Sequence, residues 1–361
     1  MRRRAPHPER HRRRPPCAHS TTLTPQPIHQ NVDESPRAGL PARIGVSVAH
    51  SDHCAQQVRR IDILAHIAAT DGAFHEGGDR ACDQFHRSWG GRASSRSCQR
   101  WRDYAFGGDE VDEQGSLDLV QLDLASLDSV RRCADGLLAA SKPFDVIIAN
   151  AGVMACPKGN TVDGFETQFG TNHLGHFVLV NRIASLLKAG SRLVNLSSAG
   201  HRYADVNLED PNFEHTPYEE FIAYGRSKTA NVLFAVEFDR RHQARGVRAT
   251  AVHPGGIRTE LSRHLTPGVL EKLIAEINAS QPKGAAPFSY KSIPQGAATS
   301  VWAACIADAG AIGGRYCEDC HVAEVVSTPG LRGGVRAYAL DPQHAQALWQ
   351  KSEEMVGERF N

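Results

Sequence analysis

Phe144-Asp-Val-Ile-Ile-Ala-Asn-Ala-Gly152 decides the fold. Its apolar run is continuous rather than alternating, the pattern of a strand covered on both faces, as in a parallel sheet. It stops at Asn150, Ala151 and Gly152, where small residues and a glycine let the backbone turn sharply and lie close to a ligand. An ordinary strand-to-loop turn has the same look. Outward from it the pattern repeats. Leu117-Asp-Leu-Val-Gln-Leu-Asp123 reads as a strand ending at a carboxylate, and Leu127 to Ala140 as a helix opened by Ser126 or Asp128. Phe165 to Leu187 has helical periodicity, and Arg192-Leu-Val-Asn-Leu-Ser197 is a second buried strand. A long helix from Tyr224 to Arg241, a strand Val247 to His253 stopped by Pro254-Gly-Gly256, and a helix from Gln295 to Ala307 follow. Strands separated by helical patterns imply βαβ units: an α/β, doubly wound parallel sheet with helices on both faces. In such sheets ligands bind beyond the carboxyl ends of the strands.

The 361 residues allow one large domain or two smaller ones, and a net charge of +1 gives no global field toward nucleic acid or membrane. No apolar run approaches the roughly 20 residues that span a bilayer. Nine Cys are scattered, and the one C-x-x-C, Cys317 to Cys320, has no second ligand pair nearby, so no metal is expected. A reducing, cytoplasmic setting fits this usage. Residues 1–110 differ from the rest: they hold 17 Arg, no Lys and nine of the 18 His, with little sustained period of 2 or 3.6.

Every unusual motif lies at a strand end or on the helix that follows. In Ala223-Tyr-Gly-Arg-Ser-Lys-Thr-Ala230, Tyr224 and Lys228 are four apart and share a helix face. An ammonium beside a phenol favours the phenolate and lowers a pKa that starts near ~10, which suits proton transfer. A surface Lys beside a half-buried Tyr gives the same spacing. Thr171-Asn-His-Leu-Gly-His-Phe177 places an Asn and a Gly inside a helix, both costly relative to Ala. Leu196-Ser-Ser-Ala-Gly200 sets a hydroxyl at the ligand edge of the sheet; alternation lets only one of Ser197 and Ser198 face it. Pro254-Gly-Gly-Ile-Arg-Thr259 offers free amides to a carboxamide or phosphate.

In this order the residues resemble the short-chain dehydrogenase/reductase family, over roughly residues 116–358. The matching elements are Asp123, Asn150-Ala-Gly152, Asn172, Ser198, Tyr224, Lys228, and Pro254-Gly255 with Thr259. The Asn helix, the 26 residues from Ser198 to Tyr224, Gly313-Gly-Arg-Tyr-Cys-Glu-Asp-Cys320 and the tail Asp341-Pro-Gln-His-Ala-Gln-Ala-Leu-Trp349 look like its retinol-dehydrogenase-like branch. The resemblance implies a Rossmann-like fold and an NAD(P)-dependent oxidoreductase interconverting an apolar alcohol and its aldehyde or ketone. Tyr224 would be the general acid or base. Lys228 would lower its pKa and bind the nicotinamide ribose. Ser198 would hold the substrate oxygen, and Asn172 a proton-relaying water. Asp123 would sit by the adenine, Asn150, Ala151 and Gly152 along the adenosine side, and Thr259, after Pro254 and Gly255, near the carboxamide or phosphate. The cofactor is NADP or NAD, the substrate a small apolar alcohol or carbonyl compound, and a homo-oligomer through the Tyr224 helix is a family-level expectation. Leu261, Leu265, Val269, Leu270, Leu273 and Ile274 recur at roughly helical spacing in a segment, Arg258 to Tyr290, that fits a substrate lid; a packed surface helix would look the same.

The chain departs from its family at the front. The family's T-G-x-x-x-G-x-G turn should fall roughly at residues 70–90, where a strand ends and a helix N-terminus receives the pyrophosphate. Ala69-Thr-Asp-Gly-Ala-Phe-His-Glu-Gly-Gly-Asp-Arg80 has glycines at the wrong spacing, and so has Gly90-Gly-Arg-Ala-Ser-Ser95. The first βαβ unit is thus missing or aberrant. Residues 1–115 read as an out-of-frame stretch, a disordered or targeting extension, or a divergent first unit, ahead of a catalytic domain at 116–361. The competing functional reading is an inactive remnant or scaffold without a pyrophosphate site.

Overall fold

The computed structural model describes residues 44–49, 117–280, 284–328, 330–331 and 333–361, with the backbone alone at 44–49 and 117–119. The readings made of residues 1–115 lie outside these, except at one strand. In chain order the elements are β1 (Ile44–Ala49), β2 (Leu117–Leu122), α1 (Leu127–Ala140), β3 (Phe144–Ala149), α2 (Thr167–Phe169), α3 (Gly175–Arg182), β4 (Leu187–Leu196) and α4 (Glu220–His242). They continue with β5 (Arg248–His253), α5 (Pro267–Ala279), α6 (Ile293–Val301), α7 (Ala309–Ile312), β6 (Tyr316–Glu318), β7 (His321–Val322) and α8 (Pro342–Val356).

Five strands form the main sheet in the order β3-β4-β5-β6-β7, parallel from β3 to β6 and closed by an antiparallel β7. Both faces are covered, as the continuous apolar runs require. Ile147, Leu193 and Ala249 point to one core with residues of α1, α3, α4 and α8. Val146, Ile148, Val194, Leu196 and Val252 point to the other, against Ala303, Ala304, Ala307 and Ile312. Each fully buried Val, Leu or Ile adds about 1.5–3 kcal/mol. This is the α/β, parallel-dominated architecture that the strand–helix alternation implies.

Three boundaries differ from the sequence reading. The Leu117 strand does not extend the parallel sheet: β2 pairs antiparallel with β1, Ile44 opposite Leu122 and Ala49 opposite Leu117, as a separate two-stranded sheet. Ile44, Val46 and Val48 alternate along β1, which makes it a competent strand in its own right. Among the described residues no strand pairs with the outer edge of β3. β4 starts at Leu187 rather than Arg192, because its pairing with β3 shifts register between Phe144 and Val146. There the Ser191 hydroxyl donates to Phe144 O at 2.7 Å and accepts from Lys188 N–H. α4 opens one turn before Tyr224, at Glu220.

Local chemistry explains the ends that were anticipated. Ser126 caps α1, its hydroxyl accepting from Ser129 N–H. Asp341 caps α8 through Gln343 and His344 N–H, with Pro342 in the first turn. Trp349 of α8 is buried against α4, its ring under the Arg241 guanidinium at 4.1 Å and its N–H donating to Glu353. Among the described residues no helix is long and apolar enough to cross a membrane.

Candidate active site

The carboxyl end of β4 and one face of α4 build the centre. Ser197 and Ser198 point opposite ways, as alternation demands. Ser197 is buried and donates to Lys228 O at 2.8 Å. Ser198 hydrogen-bonds Tyr224 through its side chain and accepts from Gly200 N–H at 3.0 Å. Tyr224 and Lys228 are each 4 % exposed. The Lys228 ammonium donates to Leu196 O at 3.0 Å and stands 5.8 Å from the centre of the Tyr224 ring. Burial pushes the Tyr224 hydroxyl up to about 12, with the Ser198 hydrogen bond opposing, and pulls Lys228 down to about 8. The phenol is therefore raised, not lowered as expected. Removing the phenolate from water is the dominant cause.

Two glycines make this packing possible. A Cβ on Gly200 would stand 2.6 Å from the Tyr224 ring, and one on Gly225 would stand 2.9 Å from Tyr203 Cβ and 3.0 Å from Gly200 O. The short turn Ala199–Arg202 can lie flat on α4 only because both side chains are missing.

The Asn helix forms the opposite wall. Between α2 and α3 it makes a π-turn, Gly170–Leu174, closed by Gly175 N–H to Gly170 O. The fully buried Asn172 accepts from Val153 N–H at 2.8 Å and donates to Val153 O and to the Ser227 hydroxyl, both at 2.9 Å. Its amide thus staples the loop after β3 to α4. A Cβ on Gly152 would stand 2.8 Å from Asn172 Oδ1 and 3.4 Å from Lys228 Nζ, so the bare face of Gly152 looks at both. His176 donates from Nε2 to Ala151 O at 2.9 Å, and His173 Nε2 meets the Ser352 hydroxyl of α8 at 2.8 Å. The mid-helix glycine has a packing reason: a Cβ on Gly175 would fall 2.5 Å from Leu124 O.

Asn172, Ser198, Tyr224, Lys228 and Gly152 come together. Pro254 and Gly255 follow β5, Gly255 with φ +98°. Lys291 lies against Gly255, donates to Pro254 O at 3.2 Å and pairs with Asp319. Thr259 is exposed and caps the turn Glu260–Ser262. Asn150 is exposed at the end of β3. Asp123 follows β2; its carboxylate accepts from Ala125 N–H at 2.9 Å, and its N–H donates to Ser129 Oγ at 3.0 Å. The sequence reading missed Asn231, whose amide donates to the same Leu196 carbonyl as Lys228, at 2.9 Å. Its place seven residues after Tyr224, on one helix face, was the available signal. It also missed His201 and His253, which no motif flags.

A family model for the short chain dehydrogenase matches residues 107–269. The short-chain dehydrogenase/reductase prx1 of Penicillium roqueforti is 38% identical over 257 residues, covering 68% of this chain and 72% of that protein. Mouse (Mus musculus) retinol dehydrogenase 14 is 40% identical over 245 residues, 67% of this chain and 68% of that one. The chain belongs to the short-chain dehydrogenase family. Within this short-chain dehydrogenase family its likeness to a retinol dehydrogenase bears out the branch read from the sequence. A solved structure of an uncharacterised protein from Mycobacterium paratuberculosis is 35% identical, with a TM-score of 0.49 over 66% of this chain and 75% of that one. By family the chain is an NAD(P)-dependent short-chain dehydrogenase/reductase, an oxidoreductase of a small-molecule substrate. Gly152 packs so closely against Asn172 and Lys228 that any side chain there would collide with them. The region searched for the pyrophosphate turn lies outside the described residues.

Proposed function

We propose that residues 116–361 form the catalytic domain of an oxidoreductase that interconverts an apolar alcohol and its aldehyde or ketone. The observation that carries the reading is the buried Tyr224 hydroxyl, hydrogen-bonded to Ser198 and set over Lys228 on one face of α4. In reduction the nicotinamide, when bound, supplies the hydride to the carbonyl carbon. Tyr224 gives its proton to the oxygen, so that one hydride and one proton convert C=O to CH–OH. Ser198 holds that oxygen beside Tyr224, and Lys228 and Gly152 border the nicotinamide ribose. Asn172 keeps the wall behind Lys228 in place. With its pKa pushed up to about 12 by burial, Tyr224 holds its proton at neutral pH and is ready as the acid. The reverse oxidation needs the phenolate and gains with rising pH.

Apolar substrate preference rests on α5. Leu270, Leu273, Ile274 and Ile277 line one side of it and are half-buried, none of them enclosed. Glu276 of α5 acts electrostatically on Tyr203 beside Tyr224, and Arg263 acts on Cys156 in the loop after β3, so this segment stands near the site. Asp123, Asn150, Ala151, Pro254, Gly255 and Thr259 complete the proposed cofactor contacts. A cytoplasmic location belongs to the same proposal, because Cys133, Cys156, Cys317 and Cys320 are free thiols; so does a homo-oligomer, which sedimentation would weigh.

A second reading, an inactive remnant, is favoured by one fact: no T-G-x-x-x-G-x-G turn occurs in the 361 residues. Titration of purified full chain with NADPH and NADH separates the two by nicotinamide fluorescence. Binding together with turnover of an apolar ketone, lost by about 10²–10⁴-fold in Tyr224→Phe, supports the enzyme. No binding at millimolar cofactor supports the remnant, and full activity in Tyr224→Phe refutes the role of the phenol.

A further inference from the structure

The peptide group between Ser198 and Ala199 is held at both of its polar ends by imidazoles. Its carbonyl, Ser198 O, lies 2.7 Å from His201 Nδ1. Its N–H, on Ala199, donates to His253 Nδ1 at 3.2 Å. A carbonyl only accepts and an amide N–H only donates, so the two rings occupy opposite tautomers. His201 carries its proton on Nδ1. His253 leaves Nδ1 bare and carries its proton on Nε2. The other contacts agree: His201 Nε2 accepts from Arg336 N–H at 3.2 Å, and Gly255 N–H points at the same His253 Nδ1 at 3.5 Å.

The clamp stands where the sheet stops holding the chain. Ser197 N–H bonds Val252 O, continuing the sheet pairing one residue past the end of β4. Beyond it, at Ser198, the chain turns away onto α4. Each ring is itself anchored. His201 is fully buried, its ring 4.8 Å from that of Tyr316, and its own carbonyl accepts from the Tyr338 and Thr229 hydroxyls. His253 ends β5 and opens the Pro254-Gly255 turn.

We propose that His201 and His253 are positioning residues that clamp the Ser198–Ala199 peptide and so set the angle at which the Ser198 hydroxyl meets Tyr224 and the substrate oxygen. The clamp rests on the proposed roles of Ser198 and Tyr224 for its purpose, but not for its existence. Neutral rings are required, and their surroundings favour them. Burial comes first at both, pulling His201 down to about 3 and His253 to about 4. Around His201 stand Arg202, Arg336 and His253, all opposing a proton. Around His253 stand Lys291, opposing, and Asp319, favouring. Displacing a reacting group by about 1 Å can cost a hundredfold in rate, which is the scale on which such a clamp matters.

Two measurements on the full chain test this. The first is ¹⁵N–¹H NMR of histidine-labelled protein near neutral pH, with the two rings assigned through His201→Asn and His253→Asn. A protonated Nδ1 on His201 together with a protonated Nε2 on His253 is the expected result. The same tautomer on both, or an imidazolium at either, overturns the clamp. The second is turnover in two variants at His253. Asn presents its amide oxygen where Nδ1 accepted, so His253→Asn keeps kcat within about threefold, whereas His253→Leu lowers kcat by about ten- to a hundredfold with KM changed far less. Equal losses in both variants, or none in His253→Leu, overturn the positioning role. Tyr224→Phe run alongside separates the two failures. If it keeps activity, the proposed function itself falls. If it alone loses activity, only the clamp falls.

Discussion

A methyl group placed on Gly200 probes the site where it is tightest. In Gly200→Ala the new Cβ would lie 2.6 Å from Tyr224 Cε1 and 2.8 Å from Cδ1, with Ser198 Oγ at 3.4 Å. Carbon atoms in contact rest about 3.5–4.0 Å apart, so ring and turn must separate by about 1 Å. The turn has little room to slide along α4, because Gly200 O already lies 3.0 Å from where a Cβ on Gly225 would be. The strain therefore falls on the Ser198–Tyr224 hydrogen bond. A 1 Å displacement of the proton donor corresponds to a fall in kcat of about a hundredfold, or about 2.7 kcal/mol of barrier. The overpacking costs the fold about 1–3 kcal/mol. Steady-state reduction of an apolar ketone by NADPH reads the first quantity and urea unfolding the second. NADPH binding should change by less than about threefold, since no cofactor-side residue moves. A Gly200→Ala protein that keeps kcat within about twofold refutes the claim that this contact sets the position of Tyr224.

Three further outcomes follow from other parts of the molecule. Gly136 is exposed in the middle of α1 with nothing within 4 Å of a Cβ, so Gly136→Ala raises stability by about 0.5–1 kcal/mol; a loss in urea unfolding would contradict this. Burial pulls His173 and His201 down to about 3, and His242 and His253 to about 4. Between these values and the ordinary ~6.5 the unfolded chain binds protons that the native state refuses. Stability is therefore complete above pH ~6.5 and declines as pH falls toward ~3–4; a Tm that stays level from pH 7 to 4.5 would refute it. The Asp239 carboxylate accepts from Arg248 at 2.8 and 2.9 Å and from Ala249 N–H at 2.8 Å. Asp239→Ala leaves Arg248 beside an empty partner and costs about 3 kcal/mol by chemical denaturation, and a cost below about 1 kcal/mol would show the pair to be dispensable.

The legible parts of the chain are those whose signal is local. Phe144–Ala149 and Arg192–Leu196 are apolar on both faces, and that alone placed them in a covered parallel sheet. Tyr224 and Lys228 needed only a helix between them to meet. What was hidden depends on contacts between distant segments. Nothing near Leu117 foretells that β2 takes β1 as its partner, because a strand's edge does not encode which strand it meets. The bulge at Lys188–Ser191 depends on how β4 meets β3. His201 and His253 are single histidines in unremarkable text, and their role exists only where β4 and β5 end side by side. The direction of the Tyr224 shift was misread for a related reason. Charge spacing is written in sequence, whereas the depth of burial that overrules it is a property of the assembled core.

The π-turn at Gly170–Leu174 makes chain length itself a determinant of this site. A π-turn stores one more residue than the same rise of regular α-helix, and each residue advances the helix by about 100°. Upstream of Leu174, Asn172 is committed to Val153 and Ser227, and His173 to Ser352; downstream, His176 is committed to Ala151. Deleting any one residue within the turn would return it to regular α geometry, leaving the flanks in phase but taking Asn172 and His173 out of the positions that the wide turn gives them. The regular helix would then still serve His176 but not the commitments made inside the turn. A one-codon loss in this stretch is thus a different order of lesion from any substitution in it, because it undoes the wide turn rather than altering a single contact.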